Sequence, residues 1–178
     1  VLFSVDLGKF VREGNTRGLF KDRTVVGLLS GEPEYLDALR QEAPEGWIVT
    51  GYPWYSIKTP AHDAFLKAYQ GKFKDYPRLG TIVGYNAIQS LAAGITKAGS
   101  TDTEALIKAF KGLNVNTPWG PITYRAQDNQ STMGAYVGTT TYSKELQRGI
   151  MTNFYYADGK DFQPTDAAVK KLRPASAQ

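Results

Sequence analysis

The side chains that could perform covalent or metal chemistry are few and widely spaced in this chain of 178 residues. His62 is the only histidine, and cysteine is absent, which excludes disulfides, thiolate metal sites and cysteine nucleophiles. His62 precedes Asp63 in the first turn of a predicted helix, where we expect it to face solvent, and no Gly-x-Ser-x-Gly motif accompanies it. One histidine among scattered carboxylates lacks the spacing of metal ligands. The sequence therefore predicts no catalytic residue and no metal site.

With histidine and cysteine excluded, carboxylates are the remaining candidates for catalysis. A hydrolytic enzyme would have to use carboxylates such as Asp6, Glu32 or Asp128. No phosphate-binding loop or dinucleotide glycine motif accompanies them, so no cofactor is predicted. The net charge of +4 comes from basic residues scattered among acids, which argues against a nucleic-acid-binding arm.

Hydrophobic periodicity in the first third of the chain predicts α/β architecture. The predicted elements are strands at 1–5, 24–29 and 47–52, a weak helix at 9–17 with Gly18 as its left-handed cap, and a helix from Pro33 to about residue 42. Strands separated by helices of this length predict parallel pairing through right-handed crossovers. Because the first strand starts at residue 1, we expect the chain to be part of a longer protein.

Three helices followed by strands are predicted for the remainder. Thr59-Pro60 opens a helix that Tyr76-Pro77 ends. An i+4 ladder of apolar residues then predicts one long helix over 78–98, although Thr81-Ile82-Val83 alone would suggest a strand. The other predicted features are a capping box at Thr101-x-x-Glu104, strands at 122–125, 135–142 and 149–156, and a short terminal helix capped by Asp166.

Several short motifs occur in a specific order along the chain. They are Phe3-Ser4-Val5-Asp6-Leu7, Gly18-Leu19, Leu29-Ser30-Gly31-Glu32, Trp47 to Pro53, Phe65 with Tyr69, Gly84-Tyr85-x-Ala87, Ala98-Gly99-Ser100-Thr101-Asp102, and Thr117-Pro118-Trp119-Gly120-Pro121-Ile122. This succession resembles the C-terminal part of the type I periplasmic solute-binding proteins, the leucine/isoleucine/valine-binding family of ABC importers. The resemblance covers nearly the whole chain.

The resemblance implies two Rossmann-like, three-layer αβα lobes joined by a hinge. Residues 1–52 would form part of one lobe, residues 53–118 would supply three helices of the other, and residues 119–178 would return across the hinge and end in a helix. A missing N-terminal half of the same protein would supply the rest of both lobes.

The resemblance also implies a ligand cleft between the lobes. Phe3 stands where relatives carry an aromatic residue that packs on the ligand, although a core position would suit it equally. Ser30, Gly31 and Glu32 follow a strand, in a region where an acidic residue of amino-acid-binding relatives meets the ammonium group. The alternative for Glu32 is that it only favours the positive end of the next helix.

Four aromatic residues complete the candidate ligand-binding set. Tyr35 lies in the helix after Glu32, and Tyr52, Trp54 and Tyr55 cluster where the chain is expected to cross between lobes. Aromatic rings with polar tips suit a cleft that opens and closes, and they suit packing between lobes equally well.

The resemblance implies a periplasmic, or extracellular and membrane-anchored, binding protein that performs no catalysis and contacts no nucleic acid. It would capture a small solute and deliver it to an ABC permease in the membrane. The candidate solutes are a branched-chain amino acid, a related amino acid, an amide or an aromatic acid. An α/β hydrolytic enzyme that uses carboxylates and a ligand-sensing regulatory domain of the same fold are the alternatives.

Overall fold

The computed structural model describes residue 2 and residues 4–173, which form an α/β structure divided into two compact units. The first unit contains the described residues as far as Ile57, together with Tyr69–Leu79 and Ala135–Ala157. The second contains Lys58–Ala68, Gly80–Gly134 and the described residues from Asp158 onward. No helix within these described ranges is both long and apolar enough to cross a membrane.

The first unit is built on a four-stranded mixed sheet. Its strands are β1 (Val26–Gly31), β2 (Ile48–Gly51), β5 (Ala135–Ser143) and β6 (Arg148–Ala157), in the order β1-β2-β5-β6, and its helices are α1 (Ser4–Thr16) and α2 (Pro33–Leu39). β1 and β2 pair in parallel as predicted, whereas β5 runs antiparallel to both of its neighbours. Leu36, Val49 and Met151 are fully buried in the core of this unit.

The strand predicted at the start of the chain differs from the structure. Residues 4 and 5 were expected to end a strand, but they open helix α1, and residues 1 and 3 lie outside the described residues. The strand preference of this β-branched and aromatic run is outweighed by helical periodicity. Leu7 and Val11 are four residues apart, which is one helical turn, and Val11 is fully buried. The predicted cap at Gly18 is confirmed by its φ of 64°.

The second unit is mainly helical. Its elements are the first part of α3 (Pro60–Phe73), most of α4 (Leu79–Ala98), α5 (Thr103–Phe110), the hairpin β3 (Asn114–Thr117) and β4 (Gly120–Thr123), and α6 (Asp166–Leu172). Val115 and Ile122 of the hairpin form a small core with the preceding Leu113, and Phe110 packs against it. Two predicted caps are wrong by one residue: Asp102 caps α5 by accepting from the backbone N–H of Ala105 at 2.9 Å, and Thr165 caps α6.

The prediction of a single long helix at 78–98 is confirmed. The residues that this helix buries, however, are not the apolar i+4 series from which it was predicted. Ile82, Asn86, Ser90 and Gly94 are buried, whereas Val83 of the ladder is 37% exposed. The ladder and the buried row are offset by one residue, or about 100° around the helix.

The expectation that His62 faces solvent is wrong. Its side chain is fully buried, and its ring centroid lies 6.3 Å from that of Phe65. The two residues are three apart in α3, which places them on the same face of the helix, and that face is the buried one.

Candidate functional site

The predicted polar loop and the predicted aromatic segment meet at one edge of the sheet in the first unit. β1 and β2 are parallel neighbours, and their last residues, Gly31 and Gly51, are register partners. The two backbones are so close that a Cβ on Gly51 would lie 2.2 Å from the carbonyl oxygen of Gly31. Ser30, Gly31 and Glu32 therefore lie beside the segment that begins at Tyr52, at the carboxyl edge where open α/β sheets place their ligands.

A β-bulge shapes the end of β1. The register with β2 shifts between Gly27 and Gly31, and Leu29 within this stretch has a φ of 65°. The backbone N–H of Leu29 donates to the hydroxyl of Thr50 at 2.9 Å. The backbone N–H of Glu32 donates to the carbonyl of Leu29 at 3.2 Å, which closes a turn from Leu29 to Glu32. Bulges of this kind redirect side chains at the ends of strands.

Glu32 is the chemically unusual residue of this edge. It is only 6% exposed, and its Oε1 is buried without a hydrogen-bond partner among the described residues. Burial, followed by the nearby charge of Glu34, raises the pKa of Glu32 from 4.5 to about 7. Glu32 stands at the N-cap of α2, yet its side chain makes no capping hydrogen bond. Its carboxyl group is therefore an unused acceptor at a strand end.

Ser30 and Tyr35 differ in their surroundings. Ser30 is buried, and its hydroxyl donates a long bond of 3.5 Å to the carbonyl of Leu28. Tyr35 is half-buried in the first turn of α2. It borders a cavity of about 300 Å³ between α1 and α2, which is also lined by Val5, Leu7, Gly8, Arg12, Glu34, Ala38 and Leu39. Tyr35 therefore faces the groove between two helices.

Two of the three aromatic residues after β2 are anchored by the protein itself. Tyr52 is fully buried, and burial raises the pKa of its hydroxyl. The hydroxyl of Tyr55 donates to the carbonyl of Met151 at 2.8 Å and accepts from the backbone N–H of Met151 at 2.6 Å. Tyr55 thus ties the segment after β2 to the middle of β6.

Trp54 is held by a stack of rings in the same unit. Its indole lies on the ring of Tyr76 with a centroid distance of 4.6 Å and an interplanar angle of 12°. The guanidinium of Arg148 lies 4.4 Å from the centroid of the Tyr76 ring, and the Tyr76 hydroxyl donates to Asp37 at 2.5 Å. Trp54 remains partly exposed.

Seven of the eight predicted residues lie in the first unit, Tyr35 among them in the groove between α1 and α2, and Phe3 lies outside the described residues. Sequence reasoning missed the contact of Tyr76 with Trp54. Tyr76 was used only as a helix stop before Pro77, and nothing local indicates its stacking on Trp54. Within the described ranges, no group of three or more His, Asp or Glu side chains is arranged to hold a metal ion.

Comparisons with known proteins agree on one family. A family model described as periplasmic binding protein matches residues 1–145. The leucine-, isoleucine-, valine-, threonine- and alanine-binding protein of Pseudomonas aeruginosa is 27% identical over 115 residues, covering 65% of this chain and 30% of that protein.

Two solved structures share the fold. An ABC-type branched-chain amino acid transporter protein from Rhodopseudomonas palustris matches with a TM-score of 0.73 at 22% identity, covering 90% of this chain and 43% of that chain. A solute-binding protein from another strain of that species, in complex with 3,4-dihydroxybenzoic acid, matches with a TM-score of 0.64 at 23% identity, covering 85% and 42%. The chain spans less than half the length of these relatives. It belongs to the periplasmic binding protein family.

Proposed function

We propose that the full-length protein is an extracytoplasmic solute-binding protein that captures a small amino acid and delivers it to an ABC permease. The observation that carries this proposal is the buried, unpaired carboxyl group of Glu32 at the carboxyl edge of the sheet. The family is one of substrate-binding proteins rather than enzymes, which agrees with a site that holds a solute without transforming it.

An ammonium group is the ligand chemistry that best suits Glu32. A carboxylate buried without a partner carries a desolvation penalty, and a bound cation removes that penalty by forming a charge-assisted hydrogen bond. Ser30 and the backbone groups of the bulge lie beside Glu32 in the sequence and supply further polar contacts. Partly exposed Trp54 offers apolar surface for the rest of the solute.

The same carboxylate argues against an aromatic acid as the cognate solute. The relative that binds 3,4-dihydroxybenzoic acid takes a ligand whose charged group is negative. Above pH 7 an ionised Glu32 would repel such a group in a partly desolvated site. Within the proposed class, the candidates are the solutes named for the Pseudomonas aeruginosa relative: leucine, isoleucine, valine, threonine and alanine.

This chain covers 30% and 43% of the two relatives compared, which supports further solute contacts from the length that it does not span. We assign to that part the groups that bind the solute carboxylate and complete the cleft. The first unit would then contribute to one lobe and the second unit to the other.

A thermal-shift screen of the full-length protein at pH 8 tests the proposal. L-leucine, L-valine, L-alanine, urea and 3,4-dihydroxybenzoate form the panel. A cognate amino acid present at 100 times its Kd should stabilise the folded state by about 2.7 kcal/mol. Stabilisation by 3,4-dihydroxybenzoate alone, or turnover of any panel compound, would contradict an amino-acid receptor.

A further inference from the structure

Tyr76 contacts a candidate site residue from a distant part of the chain. It lies between α3 and α4, in the connection Tyr69–Leu79, which belongs to the first unit although the chain on both sides of it belongs to the second. Within the first unit, the Tyr76 ring is stacked on the indole of Trp54 at a centroid distance of 4.6 Å. The connection therefore supplies a direct neighbour of Trp54.

The stack lies at the sheet edge that carries the candidate site. Trp54 lines one small cavity together with Gly31 and Pro33, which precede and follow Glu32 in the sequence. The ring of Tyr55 meets the indole edge-on at 75°, whereas that of Tyr76 lies nearly parallel to it at 12°. A parallel ring covers a face of the indole, so it restrains the indole plane more directly than an edge contact does.

Three charged side chains of the first unit hold the Tyr76 ring. Its hydroxyl donates to Asp37 at 2.5 Å, and burial, followed by this bond, raises the pKa of Tyr76 to about 12, so the hydroxyl is still a donor at pH 8. The guanidinium groups of Arg148 and Arg78 lie 4.4 and 4.7 Å from the ring centroid, where a cation is attracted to the ring. They also lie 3.9 and 3.7 Å from the carboxylate oxygens of Asp37. Because Tyr76 is held by partners other than Trp54, its ring can fix the indole plane.

We propose that Tyr76 is a positioning residue, which holds the indole of Trp54 in the orientation that contacts a bound solute. This inference rests on the proposed function, because it takes Trp54 as part of the solute site. Tyr76 acts through Trp54, and Asp37 and Arg148 act through Tyr76. An indole that is already fixed loses less rotamer freedom on binding than one that turns freely, so the stack increases the affinity for the solute.

A double-mutant cycle on the full-length protein tests the proposal. The titrant is whichever of L-leucine, L-valine and L-alanine gives the largest thermal shift, and calorimetry at pH 8 measures its Kd. Tyr76→Leu should raise the Kd at least about fivefold when Trp54 is present, and less than about twofold in the Trp54→Ala background. Phe73→Leu is the matched control and should keep the wild-type Kd. Phe73 lies in the same connection, is 55% exposed and packs its ring against Tyr69 at 4.6 Å.

An equal rise in Kd in both backgrounds would overturn the proposal, because Tyr76 would then support the scaffold without acting through Trp54. A lower Tm of Tyr76→Leu with an unchanged Kd would overturn it as well, and either result leaves the proposed function standing. If Tyr76→Leu does not fold, Tyr76→Phe decides, since it keeps the ring and loses the hydrogen bond to Asp37. A rise of about two- to threefold that disappears in Trp54→Ala supports the proposal, and any other result overturns it. If the wild-type protein binds none of the three amino acids, the proposed function fails, and this inference fails with it.

Discussion

Replacing Glu32 with glutamine should abolish a specific pH dependence of stability. The pKa of Glu32 in the folded chain is raised from 4.5 to about 7, mainly by burial. A folded-state pKa above the unfolded value means that the stabilisation is fully present below pH 4.5 and is lost as the pH rises through 7. The shift corresponds to about 3 kcal/mol, which ionised Glu32 costs the ligand-free protein at pH 8. Glutamine keeps the shape of the side chain and cannot ionise.

Urea unfolding of the ligand-free protein at pH 5 and pH 8 measures this effect. Between the two values, the wild type should lose about 2–3 kcal/mol more of its free energy of unfolding than Glu32→Gln does. Glu45→Gln serves as the matched control, because Glu45 is exposed in the same unit and its variant should follow the wild type. Identical pH profiles for the wild type and Glu32→Gln would refute the assignment of a buried, unpaired carboxyl group.

Ionisation of Glu32 should also change the affinity for the ligand. Stability falls as the pH rises, whereas affinity should increase. An ammonium ligand selects ionised Glu32, so its affinity rises with pH through 7 and should be roughly 30-fold weaker at pH 5.5 than at pH 8. Glu32→Gln should bind weakly at both pH values. A ligand whose affinity increases toward pH 5.5 would show that Glu32 binds in its protonated form, which excludes the proposed ammonium contact.

Two further predictions concern the scaffold around the site. Tyr55→Phe removes the hydroxyl that both donates to and accepts from the backbone of β6, and it should destabilise the protein by about 1–3 kcal/mol. The control Tyr155→Phe, at a side chain that is 61% exposed, should change the unfolding free energy by less than about 0.5 kcal/mol. Gly94→Ala would place a Cβ 2.5 Å from the ring of Phe110, so urea unfolding should show a loss of about 1–3 kcal/mol. The control is Gly84→Ala in the same helix, whose added Cβ meets no atom within 4 Å and should stabilise the protein by about 0.5–1 kcal/mol. Equal effects of the two alanine substitutions would contradict the packing of Gly94 against Phe110.

The sequence predicted well those elements whose signals are local and repeated. The helix Leu79–Ala98 follows from an i+4 ladder, and the helix that begins at Pro33 follows from a proline at its first position. The strand expected at residues 1–5 was wrong at residues 4 and 5, because helical periodicity over the following turns outweighs β-propensity in a short run. The cap of α5 was misplaced because Thr101 and Asp102 are both good capping residues, and only the backbone geometry distinguishes them.

The place of the candidate residues in the fold could largely be predicted from the sequence, whereas their surroundings could not. Parallel pairing was expected, and it brings Glu32 to the same edge as Tyr52. The bulge at Leu29 depends on the register with a strand some 20 residues away, so no local pattern reveals it. The raised pKa of Glu32 depends on tertiary burial. The anchoring of Tyr55 depends on contact with β6, about a hundred residues further along the chain.

A crystal structure of the full-length protein with bound L-leucine at pH 8 tests the central claim most directly. The measurement is the distance from the ligand nitrogen to the carboxylate of Glu32. A charge-assisted hydrogen bond predicts a distance of about 2.7–2.9 Å. A ligand nitrogen paired with other groups, and Glu32 still without a partner, would contradict the assignment of this strand edge as the ammonium site.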